Sequence, residues 1–292
     1  MIDNYGTLTI TSGTYTGGLN TVKNEPTGEL SISSGDFTLT KGSSEGFTGV
    51  IFNYGKLEIT NGTFVQAHTG APYGQAQVIH TDKYGATSPS TKIEGGTFKN
   101  LCTKSTAWTV RETNAAVGCV TVSGGTFNKK AKYLADGIVC VSNGKDYICV
   151  KPASSIKLDQ TSAQMKAGEK LTLTATVMPE DAYQGVKWKS SKSTVASVDS
   201  NGVVTAKTAG TVTITATATA GEMTATCEIA ISDEVVRNEN SGTIYSFLAD
   251  AVTDAADGDT LTMLKSETLT AVVAINKDLT LDLGGKKLTG ST

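Results

Sequence analysis

Apolar and polar residues alternate along the first half of the chain in one short phrase that returns five times. In each copy, a stretch with apolar residues at every second position is followed by a glycine and an aromatic residue. The copies are Leu8–Tyr15, Leu30–Phe37, Leu57–Phe64, Thr91–Phe98 and Val120–Phe127. A period of two residues is that of a β-strand with one buried and one exposed face. The pattern therefore predicts five short strands, each followed by a glycine turn.

The copies stand at unequal distances, with their aromatic residues at positions 15, 37, 64, 98 and 127. A constant unit separated by insertions of varying length is typical of a solenoid, in which the additions leave the stack as loops. The Gly-Gly-Thr-Phe corners at 95–98 and 124–127 resemble those of the right-handed parallel β-helix of bacterial surface proteins. We expect such a β-helix over residues 1–151, closed by a hairpin over 138–150 that covers the last strand edge.

The pattern changes after Pro152, where alternating strands come at intervals of roughly 8 to 12 residues between turn signals, as in an antiparallel sandwich. Residues 152–233 also resemble the bacterial immunoglobulin-like domain, group 2. The phrases that carry the resemblance are Ala167–Leu171, Met178–Ala182, Val186–Ser191, Val195–Asp199, Gly202–Ala206 and Ala209–Thr213. The resemblance implies a place in a cell-surface protein or adhesin, mostly as a spacer and sometimes as the binding unit. Trp188 stands in mid-strand, so we expect it in the core.

The last segment, residues 234–292, contains a predicted helix over about 245–256. Its apolar residues recur at helical spacing (Leu248, Ala251, Val252 and Ala255), and Gly258 is placed to end it. Strands are predicted at 260–264, 269–273 and 279–283. The segment resembles the amino-terminal cap and first coils of a β-helix. The predicted fold class is therefore mainly β: a right-handed parallel β-helix, an immunoglobulin-like β-sandwich and the capped start of a second β-helix.

Composition narrows the functions. Lys and Arg number 25 and Asp and Glu 28, a net charge of −3, which argues against nucleic acid as a partner. No run of 18 apolar residues predicts membrane insertion. The five cysteines contain no Cys-x-x-Cys, and neither a metal site nor a cofactor is predicted. Cys140 and Cys149 flank a hairpin turn and form either a disulfide or two buried thiols.

The insertions between Phe64 and Thr91 and between Phe98 and Val120 hold the candidate ligand-binding residues. These residues are Tyr73, His80, Tyr84, Trp108 and Arg111. Aromatic rings beside polar groups on loops suit the binding of sugars, because rings stack on sugar faces. The alternative is that the rings pin long loops to the stack. Three outward acids, Glu29, Glu58 and Glu94, are expected near equivalent positions as a loose acidic ladder.

These features predict a non-catalytic part of a bacterial extracellular or cell-surface protein, a stalk or adhesin with cell-surface glycans or host proteins as partners. A β-helical polysaccharide lyase or glycoside hydrolase is the first alternative, although no carboxylate cluster is evident. A self-assembling or phage-type fibre is the second. The chain begins partway into one β-helix and ends partway into another, which suggests either a piece of a longer array or a head-to-tail association of copies.

Overall fold

The computed structural model describes residues 1–41, 48–69, 76–103 and 108–290. The protein is mainly β and contains extensive parallel sheets, as predicted. It forms two compact units: residues 1–154 with 179–183 and 219–221, and residues 155–178, 184–218 and 222–292. The division into three domains at residues 152 and 234 stays a prediction.

The strands of residues 1–151 form three sheets, and up to β15 every third strand along the chain belongs to the same sheet. The strands are β1 (Ile2–Asn4), β2 (Thr7–Ile10), β3 (Thr14–Gly17), β4 (Asn20–Asn24), β5 (Glu29–Ile32), β6 (Asp36–Leu39), β7 (Thr48–Asn53), β8 (Lys56–Ile59), β9 (Thr63–Gln66), β10 (Ala76–Thr81), β11 (Ser90–Ile93), β12 (Thr97–Asn100), β13 (Val110–Glu112), β14 (Val120–Val122), β15 (Gly125–Phe127), β16 (Val139–Ser142) and β17 (Tyr147–Val150). The first sheet has the order β1-β4-β7-β10-β13, the second β2-β5-β8-β11-β14, and the third β3-β6-β9-β12-β15-β17-β16. The strands up to β15 pair in parallel with those of the next coil. A short 3₁₀ helix, Asn114–Ala116, lies between β13 and β14.

The aromatic residues of the repeated phrase form a continuous stack inside this unit. The rings of Tyr15, Phe37, Phe64, Phe98 and Phe127 follow one another at centroid distances of 4.7, 4.9, 5.0 and 4.8 Å, nearly parallel. The spacing is that of neighbouring strands, so each ring rests on the ring of the coil before it. The glycine two residues before each ring has a positive φ, between +100° and +125°, which only glycine adopts without strain.

An asparagine ladder closes the carboxyl ends of the first-sheet strands. Asn4 Nδ2 donates to Asn24 Oδ1 at 2.7 Å, and Asn24 Nδ2 donates to Asn53 Oδ1 at 2.7 Å. Asn53 Nδ2 continues the ladder to Thr91 Oγ1 at 2.9 Å. The ladder forces the chain close to itself: a Cβ on Gly55 would lie 2.2 Å from the carbonyl oxygen of Gly28. The Asn-Tyr-Gly phrase, which occurs at 4–6 and 53–55, thus forms a structural corner of the stack.

The predicted hairpin is present at the end of the unit. Strands β16 and β17 pair antiparallel, and β17 also pairs antiparallel with β15. Cys140 and Cys149 face each other in this register and form a disulfide. The disulfide settles the alternative that the sequence left open, since directly opposed residues of an antiparallel pair bring their Cβ atoms within reach.

Residues 155–232 form antiparallel sheets around a separate core. The strands are β18 (Ser155–Leu158), β19 (Ser162–Lys166), β20 (Lys170–Thr172), β21 (Ala175–Met178), β22 (Val186–Ser190), β23 (Ala196–Val198), β24 (Val203–Ala206), β25 (Gly210–Ala218) and β26 (Thr224–Ser232). They build sheets β19-β26-β25-β22, β20-β24-β23 and β18-β21, in which β19 alone pairs in parallel, with β26. Trp188 packs against the buried cluster that includes Leu173, Val204 and Ile214, as predicted.

The last segment combines a short helix with further parallel pairs. Its elements are β27 (Val236–Asn238), β28 (Ile244–Tyr245), α1 (Leu248–Asp254), β29 (Asp259–Met263), β30 (Glu267–Leu269), β31 (Leu279–Asp282) and β32 (Leu288–Gly290). β29 pairs in parallel with β31, and β30 with β32.

Two element boundaries in this segment were predicted wrongly. The helix is shorter than 245–256, because Tyr245 pairs with Val236 in the sheet and the Glu267 carboxylate accepts the hydrogen bond of the Leu248 N–H at the helix start. The strand predicted at 269–273 is instead β30, and Val272 lies 94% exposed. The apolar face of the helix is buried as predicted.

Candidate functional site

The outer face of the first sheet carries one row of side chains across successive coils. Lys23, Phe52, His80 and Arg111 stand in register on β4, β7, β10 and β13. His80 is fully buried, and its ring lies 4.3 Å from that of Phe52. Burial lowers the pKa of His80 to about 4, against the opposing effect of the Asp82 carboxylate. The imidazole is therefore neutral at pH 7 and supports the Phe52 ring without meeting solvent.

A second row lies two residues further along, just beyond the carboxyl ends of the same strands. Its members are Glu25, Tyr54, Asp82 and Thr113, and the backbone N–H of each donates to a carbonyl oxygen of the coil before it. Tyr54 accordingly has Glu25 on one side and Asp82 on the other. The two rows share one face, because Lys23 and Phe52 of the first row and Tyr54 and Asp82 of the second line the same hollow.

Together the rows line a hollow of about 290 Å³, bounded by Asn20, Lys23, Phe52, Tyr54 and Asp82. We call this hollow the tyrosine groove. Tyr84 adds a second phenol at its edge, with its ring 5.7 Å from that of Tyr54 in an edge-to-face arrangement. Tyr84 is 66% exposed. The groove therefore offers two phenol rings with different orientations beside charged groups.

A turn after β10 holds Tyr84 in place. The Thr87 hydroxyl donates to the Tyr84 carbonyl oxygen at 2.7 Å, and the Thr87 N–H donates to the same oxygen at 3.3 Å. Such a hydroxyl-closed turn limits the freedom of the backbone from which the ring projects.

The charges of the groove are mostly engaged with one another. Lys23 Nζ lies 2.5 Å from Glu25 Oε1 and 5.5 Å from the Tyr54 ring centroid. The hydrogen bond to Glu25 raises the pKa of Lys23. Asp82 accepts hydrogen bonds from the Thr113 hydroxyl and from the Lys83 N–H. Burial, and after it the Asp82 charge, raises the pKa of Tyr54, so its hydroxyl stays protonated at neutral pH.

The structure places the other predicted residues apart from this groove. Trp108 precedes β13, at the end of the first sheet opposite to Tyr84, and Lys132 Nζ lies 3.3 Å from its ring centroid. The backbone N–H of Trp108 donates to Gln77 Oε1, so this segment is bound to the stack. Arg111 lies next to His80, one strand further from the groove. Tyr73 lies outside the described residues.

The groove residues Lys23, Tyr54 and Asp82 were missed by the sequence reasoning. Tyr54 belongs to the Asn-Tyr-Gly phrase at 53–55, outside the insertions in which ligand-binding residues were expected. A usable signal was present: Tyr54 and Asp82 each follow the end of a strand in the same sheet, so one row could have been drawn through both once the coils were aligned. The insertions of unequal length conceal that alignment.

The expected acidic ladder does not form. Glu29 stands opposite Lys56, with a 2.7 Å ion pair between them, and Glu58 stands opposite Lys92 in the neighbouring row. Opposite charges directly across a sheet stabilise it, whereas like charges destabilise it. Among the described residues, no three His, Cys, Asp or Glu side chains come close enough to hold a metal ion. No helix within the described ranges has the length and apolar character that a membrane span requires.

Comparison with known proteins assigns a family to one segment of the chain. Residues 152–229 match the model of the bacterial Ig-like domain (group 2), a non-catalytic module, which confirms the resemblance there. Domains of this family occur in extracellular or surface proteins. The resemblance of the flanking segments to β-helices stays a prediction.

Three curated relatives are similar to this chain over 82 to 86 residues. The chain is 40% identical over 82 residues to 3-O-alpha-D-galactosyl-alpha-L-arabinofuranosidase of Bifidobacterium longum subsp. longum. Two uncharacterised proteins of Clostridium acetobutylicum are 39% identical over 82 residues and 35% identical over 86 residues. These matches cover 27%, 27% and 29% of this chain, but only 7%, 8% and 22% of the respective relatives. The matched part thus spans less than a quarter of each relative.

Proposed function

We propose that the chain is a non-catalytic part of a multidomain bacterial surface or secreted protein that binds carbohydrate. In this proposal, residues 1–151 form a right-handed β-helix that presents the binding surface, and the immunoglobulin-like sandwich acts as a spacer. The family match of residues 152–229 supports the location. The Cys140–Cys149 disulfide supports it independently, because disulfides persist in oxidising compartments outside the cytosol.

The tyrosine groove is the observation that carries the binding function. Sugars present apolar C–H faces, which stack on aromatic rings, and hydroxyl edges, which donate to carboxylates. Tyr54 and Tyr84 supply the rings, and Asp82 supplies a carboxylate within the same hollow. Because the rings sit on a turn and a strand end of a stacked scaffold, little freedom would be lost on binding.

The proposal is tested with the full chain on a glycan array, followed by titration of the strongest hit. Tyr84→Ala removes an exposed ring and should weaken binding by at least about tenfold, equivalent to about 1.4 kcal/mol. The matched control is Phe247→Ala, which removes an exposed ring just before α1, outside residues 1–151. Equal binding by the parent and Tyr84→Ala, or absence of any hit, would refute the proposal.

A polysaccharide-cleaving enzyme is the second candidate, favoured by the similarity to the Bifidobacterium arabinofuranosidase. Glu25 and Asp82 flank Tyr54 and would be the carboxylates of such a site, separated by two strand spacings, about 10 Å. Glu25 is paired with Lys23, however, and Asp82 already accepts two hydrogen bonds. We favour binding on this ground. Release of reducing ends from arabinan or galactan by the full chain, abolished by Asp82→Asn, would favour the enzyme instead.

A further inference from the structure

We infer that the tyrosine groove selects neutral glycans and rejects sugars that carry a carboxylate or sulfate. This inference rests on the proposed function and names the class of ligand for the same site. Its basis is the arrangement of charges around Tyr54.

Two carboxylates flank Tyr54, and one of them lines the hollow that a sugar would occupy. Asp82 lines the hollow directly, and Glu25 lies in the same row on the other side of Tyr54. The backbones of these two acids are about 10 Å apart across two strand spacings, so an acid on a sugar ring placed between them meets one or both.

The cation among the lining residues does not offset them. Lys23 Nζ is bound to Glu25 Oε1 at 2.5 Å, so the two charges largely cancel at the groove and leave the charge of Asp82. Arginine is the residue best suited to bind a sugar carboxylate, through two parallel hydrogen bonds. Arg111 belongs to the other row, beyond His80, and stands two strands from Phe52 at the groove wall. The intervening His80 is neutral at pH 7, because burial lowers its pKa to about 4.

The remaining polar groups suit hydroxyl groups. The Asp82 carboxylate has acceptor capacity beyond its bonds to Thr113 and Lys83, and a sugar hydroxyl can donate to it. The Tyr54 hydroxyl keeps its proton, because burial and the Asp82 charge raise its pKa, and it can donate to a sugar oxygen. Neutral pyranoses or furanoses meet both demands without bringing a second negative charge.

The test compares sugars that differ only in the oxidation state of C6 in each ring. α-1,4-Linked galactotriose and trigalacturonate share their ring and linkage stereochemistry, but the second carries a carboxylate at each C6 in place of a hydroxymethyl group. These and other neutral and uronate pairs are printed on one array and then titrated against the full chain at low salt. We expect the neutral member of each bound pair to bind at least about tenfold more tightly.

Two further measurements identify the source of the discrimination. Asp82→Asn should reduce the preference for the neutral sugar over the uronate severalfold. Asp146→Asn, the same change on the hairpin turn, should leave this preference unchanged. Raising NaCl from 0.05 to 0.5 M should also narrow the preference of the parent chain, because salt screens exposed charges. The salt measurement needs no variant and remains decisive if Asp82→Asn folds poorly.

The outcomes separate this inference from the function on which it rests. Uronates that bind as tightly as their neutral partners would overturn the charge selection and leave carbohydrate binding intact. A neutral preference that is unchanged by Asp82→Asn and by salt would also overturn it, because the discrimination would then have a steric cause. Absence of binding to any sugar would overturn both proposals.

Discussion

Phe64 is a residue whose loss should strongly destabilise the stacked unit. It is fully buried, and its ring lies between those of Phe37 and Phe98 at 4.9 and 5.0 Å, tilted by 6° and 5°. Phe64→Ala removes the apolar side chain from the core and breaks both ring pairs. Truncation of a buried phenylalanine costs about 3–5 kcal/mol, part of which comes from the cavity that remains. Neighbouring coils can close that cavity only by shortening a strand spacing that their backbone hydrogen bonds fix.

Tyr15 is the matched control, because it ends the same stack. It is half-buried, contacts one ring at 4.7 Å, and donates from its hydroxyl to the Ser12 carbonyl oxygen at 2.8 Å. We expect Tyr15→Ala to cost about 1–2 kcal/mol, since it loses one ring pair and less buried area.

Hydrogen exchange followed by mass spectrometry reports the effect within the first unit, independently of the immunoglobulin-like sandwich. Peptides that cover β8, β11 and β12 should lose protection by about two to three orders of magnitude in Phe64→Ala, since 1.4 kcal/mol is tenfold. If Phe64→Ala does not fold, Phe64→Leu provides a smaller perturbation in the same direction. Equal losses for Phe64→Ala and Tyr15→Ala would refute the view that the stack is stabilised by ring contacts on both sides.

Three further predictions concern other parts of the first unit. The imidazole of His80 should titrate near pH 4 in an NMR experiment, and the stability it contributes should be lost as pH falls from 6.5 towards 4, because protonation is favoured in the unfolded chain; a midpoint near 6.5 would contradict its burial. Asn24→Ala should cost about 2–3 kcal/mol, read as faster exchange of first-sheet amides, because it removes the buried hydrogen bonds that join Asn24 to Asn4 and Asn53; exchange rates equal to the parent's would contradict the ladder. Reduction of the Cys140–Cys149 disulfide should raise the thiol count of the denatured chain from three to five and destabilise the hairpin by about 2–3 kcal/mol; five thiols before reduction would exclude the bond.

The repeated phrase was sufficient to predict the strands of the second sheet and the glycine turns that follow them. Both depend on local rules, namely alternation with period two and a glycine at a positive φ, so they are legible without knowing which coils touch. The family phrases around Trp188 likewise identified the sandwich. The predicted helix was too long because its start was set at Tyr245, whose backbone pairs with that of Val236 in a sheet.

The candidate site could be predicted only in part, because it depends on register between coils. Tyr84 was identified, but Trp108 lies at the opposite end of the sheet and His80 is buried. Loop composition indicates that aromatic residues are available, but does not determine which end of the stack they reach. Tyr54 and Asp82 lie on adjacent coils, and the length of the insertion between them conceals from the sequence which residues stand side by side.

The two rows that form the tyrosine groove draw one residue from each coil, and this has a consequence for how such a surface changes over generations. Insertion of a single coil between Lys23 and Phe52 would move the Lys23–Glu25 pair by one strand spacing relative to Tyr54, about 4.8 Å, while every coil kept its own fold. Specificity in this architecture can therefore be altered by duplication of whole repeats, without a point mutation in any residue that touches the ligand.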